Sequence, residues 1–110
     1  MTHSQIRDSA GVALYRHEAI GSVLQVRGEG ADAKLCVLTA VRLSEPFEGL
    51  AALPSGPVEP GETLEEGVLR HLAAKVDVDG LAHLEQLGTR SEPSRDPAQR
   101  TIGTSYLGLV

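Results

Sequence analysis

Apolar positions recur at helical spacing in one stretch of this chain and at strand-like spacing on both sides of it. Over Thr63–Val76 the residues Leu64, Val68, Leu69, Leu72 and Val76 predict a helix that buries one stripe. Thr63 followed three residues later by Glu66 is a capping box that starts it. Gly67 is tolerated inside it at a cost of about 1 kcal/mol relative to alanine. Before the helix, Gly11–His17 predicts a short strand. Ala19–Arg27 predicts a longer one, with Ile20, Val23, Leu24 and Val26 apolar in imperfect alternation. Gly28–Asp32 is a turn by composition. Lys34–Arg42 is β-rich and predicts a central strand, forming a hairpin with the strand before it. Residues 43–62 hold four of the six prolines, which interrupt helices and sheet ladders alike, so this stretch predicts a long ordered loop. Leu81–Arg90 and Thr101–Leu109 predict two further strands, joined by the polar Ser91–Gln99. The polar residues 1–10 predict a loose start. The order strand, strand, helix, strand, strand gives one α+β domain with a mixed sheet over residues 1–110, without an internal repeat or low-complexity tract.

At 110 residues the chain bounds one domain at most. Aromatic residues are 3% of it, namely Tyr15, Phe47 and Tyr106, so the core must come from aliphatic side chains and few rings are available to stack on a base. Lys and Arg number 10 against 15 Asp and Glu, a net charge of −5. That balance argues against nucleic-acid binding by this domain alone, because phosphate contacts need a basic face. The single cysteine, Cys36, cannot form an intramolecular disulfide, and its apolar setting predicts a buried thiol rather than a nucleophile. No 18-residue apolar run predicts a membrane span, and the N-terminal residues lack an apolar secretion segment, so a cytoplasmic protein is expected.

Residues 56–78 carry the strongest signal. Gly56, Glu62, Arg70, Leu72 and Val78 stand at the spacing of the Nudix box: glycine, five residues, glutamate, seven residues, arginine-glutamate, an aliphatic, any residue, two glutamates, any residue, glycine, an aliphatic. The chain closely resembles that family. Leu53-Pro54-Ser55-Gly56 resembles its leucine-proline-glycine-glycine loop, with Ser55 in place of a glycine. Val37–Arg42 resembles the strand before the loop, and Glu45-Pro46-Phe47 its connector. Residues 94–110 resemble ADP-ribose-type Nudix domains, including the Nudix-related regulators of NAD metabolism, which pair a ligand-sensing Nudix domain with a DNA-binding winged helix. The resemblance covers residues 19–110 and implies a Nudix-like α/β/α sandwich with a mixed sheet, C-terminally short.

Nudix enzymes split a diphosphate with the help of Mg²⁺ or Mn²⁺. The resemblance places their three metal-holding glutamates at positions 71, 74 and 75, which share one helix face. This chain has His71, Ala74 and Lys75 there, and Asp77 where the box closes on glycine. Imidazole is a poor Mg²⁺ ligand. An ammonium about 4 Å from a like charge meets repulsion of about 4 kcal/mol at an effective dielectric near 20. No catalytic residue and no metal ligand is therefore assigned.

Four basic residues are the ligand candidates: Arg42, Lys75, Arg95 and Arg100. Arginine donates two parallel bonds to a diphosphate. Lys75 puts a cation on the face that carries anions in the family, and contacts a diphosphate directly if it fills the lost metal's space; the plain alternative is a solvated or ion-paired lysine. Gly56, Glu59, Glu62 and Arg70 are expected to be structural, with Glu62 the partner of Arg70, as the resemblance implies. His3, His17 and His83 have no ligand spacing. Tyr106 is expected in the core.

Three functions stay open. One is a catalytically inactive domain binding a nucleotide diphosphate such as ADP-ribose, as the sensor part of a regulator, with no cofactor. Another is a hydrolase that recruits carboxylates outside the box, such as Glu59 with Glu85, and then needs Mg²⁺. The third is a structural or dimerising module. The chain stops at Val110, at the end of a predicted strand, where the family's fold continues. Completion by another chain, a fragment of a longer protein and loss of the last elements all fit. The open strand edge predicts a homodimer.

Overall fold

Twelve residues, Arg16–Arg27, form the strand on which the rest of the fold is assembled (β1). In the computed structural model, which describes residues 7–97 and 99–110, β1 has neighbours on both edges. Thr101–Leu109 (β7) runs parallel to it from Arg16↔Thr101 to Leu24↔Leu109. His83–Arg90 (β6) pairs antiparallel with β7, with a bulge between Gln86 and Gly88. On its other edge β1 is shared. Ser55–Pro57 (β5) pairs with Glu18–Ile20, and Lys34–Val37 (β2) pairs with Leu24–Arg27, both antiparallel. Ala40–Val41 (β3) and Ala51–Ala52 (β4) make a separate two-stranded sheet. The result is the expected α+β fold with a mixed sheet, and among the described residues one α-helix, Leu64–Val76 (α1), packs on it.

The helix forms where the pattern places it. Thr63 accepts a hydrogen bond from the Glu66 amide, and the Glu66 side chain accepts one from the Thr63 amide, so the capping box is complete. The helix ends at Asp77, which adopts a left-handed conformation with φ 56° and ψ 37° and donates its backbone N–H to Leu72 O. That conformation explains why the box closes on glycine: a Cβ is unfavourable there, and aspartate is among the few other residues that tolerate it.

Ala19 and Val23 of β1, Val68 and Leu72 of α1 and Tyr106 of β7 are the buried core. Gly21 lets the helix lie close, since a Cβ there would stand 2.9 Å from Leu72 Cδ2. Burying a Val or Leu side chain is worth roughly 1.5–3 kcal/mol, so these few aliphatics hold helix to sheet. Leu69 departs from the expected stripe. It is 39% exposed, because it lies one residue past Val68 and so turns away from the sheet that Val68 and Leu72 face. Tyr106 is in the core as expected, with its hydroxyl donating to Gln86.

Several strand expectations change. Lys34–Arg42 is not one central strand. β5 occupies the first half of that β1 edge, so only Lys34–Val37 can pair, at the rim of the sheet, and the chain then leaves to form β3. Residues 43–62 are not all loop, since they supply β4 and β5. Gly11–His17 is not a separate strand: Arg7 and Ala13 form an isolated bridge, and Arg16 and His17 begin β1. Cys36 is half-buried on the rim strand, with its thiol 3.8 Å from Lys34 O. No helix among the described residues is long and apolar enough to cross a membrane. The expectations for residues 1–6, His3 included, and for Ala98 lie outside the described residues.

Candidate functional site

The box loop is built around a single arginine. Arg70, on α1, grips Glu62 with two bonds, Nη2 to Oε1 at 2.7 Å and Nε to Oε2 at 3.1 Å. The same Nη2 donates to Pro57 O at 3.0 Å. Glu62 Oε1 also accepts the Glu59 amide at 2.9 Å. These bonds tie both ends of the loop to the helix. The Arg70 guanidinium, helped by the Glu59 amide, holds the Glu62 carboxyl down to about 2. Bonding to Glu62 in turn raises Arg70 above its ordinary value. Glu59 is 4.0 Å from Arg70 Nη2 and faces solvent. The expected pairing of Glu62 with Arg70 is present.

His71 occupies a position that the box gives to glutamate. It is 6% exposed, and Nε2 donates to Pro57 O at 2.9 Å. Its ring lies against Gly56, where a Cβ would come within 2.1 Å of Cε1. The consecutive residues Arg70 and His71 thus hold one carbonyl, and the imidazole serves as a brace beneath β5.

The next turn of the helix faces a cleft of about 910 Å³ between β5, the start of β1 and the loops around β3 and residues 95–97. Ala74 brings a methyl group to it. Lys75 brings its ammonium, which donates to Ser55 O. Partial desolvation pushes that ammonium below the usual lysine range. Glu18 opposes the shift, while Arg16, Arg42 and Arg70 add to it.

Arg42 lines the same cleft, its Nε donating to Pro46 O at 2.6 Å. Arg95 reaches in from the loop before β7 and lies over Gly103, where a Cβ would be 2.8 Å from Nη2. Two residues not singled out from the sequence complete the wall. Arg16 forms an ion pair with Glu18 at 2.9 Å, and Arg95 approaches the other Glu18 oxygen at 3.8 Å. Their signal was charge at alternate positions, 16 and 18, of a strand otherwise rich in apolar residues, which places them on one face.

Arg100, expected beside the cleft, is not among the residues that line it. Its guanidinium is 5.1 Å from the Tyr15 ring centre and donates to Ser91 O at 2.7 Å, which fastens the loop before β7. Glu85 is also remote from the box. It sits on β6, 3.0 Å from His83, so Glu59 and Glu85 form no joint site. His17 bonds to Thr104 Oγ1 at 2.9 Å.

Mg²⁺ and Mn²⁺ take oxygen donors, mostly carboxylates. The helix face at 71, 74 and 75 offers a bonded imidazole, a methyl and a cation. Among the described residues no group of three or more His, Cys, Asp or Glu is placed to hold a metal ion. The residues present do not fit either ion. What the cleft offers is four cationic side chains, Arg16, Arg42, Lys75 and Arg95, against two carboxylates, Glu18 and Asp96, an arrangement suited to a polyanion.

Comparison with known proteins agrees with this geometry. A profile described as NUDIX domain matches residues 15–110. The chain is 32% identical over 102 residues to a protein named ADP-ribose pyrophosphatase from Methanocaldococcus jannaschii, covering 92% of this chain and 56% of that one. It superposes with a TM-score of 0.78 and 30% identity on the NUDIX domain of Shewanella oneidensis NrtR, solved in complex with ADP ribose, covering 94% of this chain and 65% of that one. The same regulator solved with a 27mer DNA gives a TM-score of 0.70 and 33% identity, over 84% of this chain and 41% of that one. The chain thus spans little more than half the length of the pyrophosphatase and under two thirds of the NrtR domain. Box spacing, the Arg70–Glu62 brace, the sheet order and these similarities agree that the chain belongs to the Nudix family.

Proposed function

We propose that this chain is a catalytically silent Nudix domain that binds a nucleotide diphosphate such as ADP-ribose and acts as the sensor part of a regulator. The observation that carries the reading is the loss of carboxylates on the box helix, where His71 is buried against β5 and Ala74 and Lys75 face a cleft lined by Arg16, Arg42 and Arg95. A cleft that attracts diphosphate but lacks carboxylates for a metal is equipped to bind and not to cleave. The similarity to a NUDIX domain complexed with ADP ribose supports the ligand class. Arg42, Lys75 and Arg95 are the ligand residues in this reading, with Arg16 added. Gly56, Glu59, Glu62 and Arg70 shape the loop.

With a net charge of −5, the domain is not read as a nucleic-acid binder, although the related regulator has been crystallised with DNA. A homodimer remains the expected assembly. The support for it is the rim strand β2, which among the described residues has a sheet neighbour on one edge only and whose Leu35 is 67% and Val37 46% exposed.

The test is a thermal-shift titration with ADP-ribose, with and without Mg²⁺, run beside an assay for released mononucleotide. A ligand at a hundredfold excess over its Kd adds about 2.7 kcal/mol to folding stability. The expected result is a metal-independent rise in Tm without turnover. Metal-dependent turnover lost in Glu59→Gln restores the hydrolase reading, and no shift with any nucleotide leaves a structural module.

A further inference from the structure

The family's metal does not fit this cleft, and the residue that makes it unfit is itself a cation. We propose that Lys75 is a resident cation: its ammonium takes the place of a divalent ion at the Ser55 carbonyl, so that the cleft holds a diphosphate without metal. The inference rests on the reading of the cleft as a diphosphate site and specifies how that site is charged.

Lys75 is in the last turn of α1, where its side chain reaches back across the cleft to β5 and donates to Ser55 O. A carbonyl oxygen with a carboxylate nearby is the donor set that a hard cation would take. Here the carboxylate is Glu18, which lines the same cleft as Lys75. The ammonium therefore bonds a carbonyl oxygen in a cleft that also holds a carboxylate.

Its other neighbours repel it. Arg16 and Arg42 line the same cleft, and Arg70 lies behind on the helix. Glu18 is already shared with Arg16 at 2.9 Å and Arg95 at 3.8 Å. Two carboxylates, Glu18 and Asp96, face four cations, Arg16, Arg42, Lys75 and Arg95, which leaves an excess of positive charge in the cleft. A diphosphate relieves that excess, because its oxygens accept bonds from Lys75 and from the arginine forks together. A divalent ion adds to the excess and is repelled.

The experiment has two arms. In the first, inorganic pyrophosphate is titrated calorimetrically into the wild-type chain and into Lys75→Met, with EDTA and with Mg²⁺. Wild type is expected to bind in EDTA, and Lys75→Met to bind about tenfold or more weakly, the scale of a lost charge-assisted bond. Equal affinity of the two proteins overturns the proposal, as does binding by wild type only when Mg²⁺ is present.

The second arm needs no ligand. Lys75→Glu sets a carboxylate beside Glu18 and the Ser55 carbonyl. Added Mn²⁺ should then selectively broaden the amide signals of Ser55 and Gly56 in that variant and not in wild type. Equal broadening in both proteins, or none in Lys75→Glu, overturns the resident cation. If wild type binds no pyrophosphate under any condition, the diphosphate reading fails, and the Mn²⁺ comparison alone decides whether Lys75 holds the cation's place.

Discussion

Gly56→Ala is the sharpest test of how the box loop is held. Gly56 is buried in β5, opposite Ala19 of β1. A Cβ added there would lie 2.1 Å from His71 Cε1, 2.5 Å from Nε2 and 2.7 Å from Nδ1. The neighbour is a ring, and the ring has little freedom to move: His71 is 6% exposed and bonded to Pro57 O. Overpacking of this kind costs about 1–3 kcal/mol. If the ring leaves, the broken bond costs a further 0.5–1.5 kcal/mol or so. The expected loss is about 2–4 kcal/mol, measured as the shift of the urea midpoint at constant slope. The double variant Gly56→Ala/His71→Ala reopens the space, so the two changes should couple by at least about 1 kcal/mol in the compensating direction. A Gly56→Ala protein within about 0.5 kcal/mol of wild type, the range of ordinary surface changes, refutes the account, as does strict additivity of the pair.

Other outcomes follow from the same structure. Asp77→Gly should stabilise the domain by roughly 0.5–1 kcal/mol, because the left-handed helix end suits glycine better than a residue with a Cβ; an unchanged or lower urea midpoint contradicts this. Glu62 has its folded pKa lowered from 4.5 to about 2, so the stability it contributes is complete above 4.5 and is lost as pH falls through that interval. Glu62→Gln should therefore be less stable than wild type at neutral pH, and its disadvantage should shrink from pH 4.5 to 2 in acid-unfolding curves. Arg42→Ala should weaken ADP-ribose binding about tenfold, the scale of one charge-assisted bond. Arg100→Ala should change the affinity less than about twofold, because its guanidinium is engaged with Tyr15 and Ser91 outside the cleft; equal losses in calorimetry would put Arg100 back among the ligand residues.

The legible parts of this protein were those set by local spacing. Thr63 and Glu66 announce the helix start because a capping box needs only residues three apart. The Arg70–Glu62 brace and the loss of carboxylates at 71, 74 and 75 follow from box spacing, which maps directly onto one helix face. Thr101–Leu109 was legible as a strand, although its parallel pairing with β1 was not. What the tertiary structure decided were matters of competition for space. Whether Lys34–Arg42 is central or marginal depends on β5 taking half of the β1 edge, and β5 is a three-residue strand with a proline that no periodicity reveals. Arg95 and Arg100 are five residues apart in one chain segment, yet one faces the cleft and the other Tyr15, because the backbone entering β7 sends them to different surroundings. Arg16 and Glu18 became part of the site only when β5 and the residue 95–97 loop closed around the start of β1. The sequence by itself determined which chemistry the helix face lacks. Only the folded chain decided which cation meets Ser55 O, since that meeting joins Lys75 to a residue 20 positions away in sequence and depends on contacts no local pattern encodes.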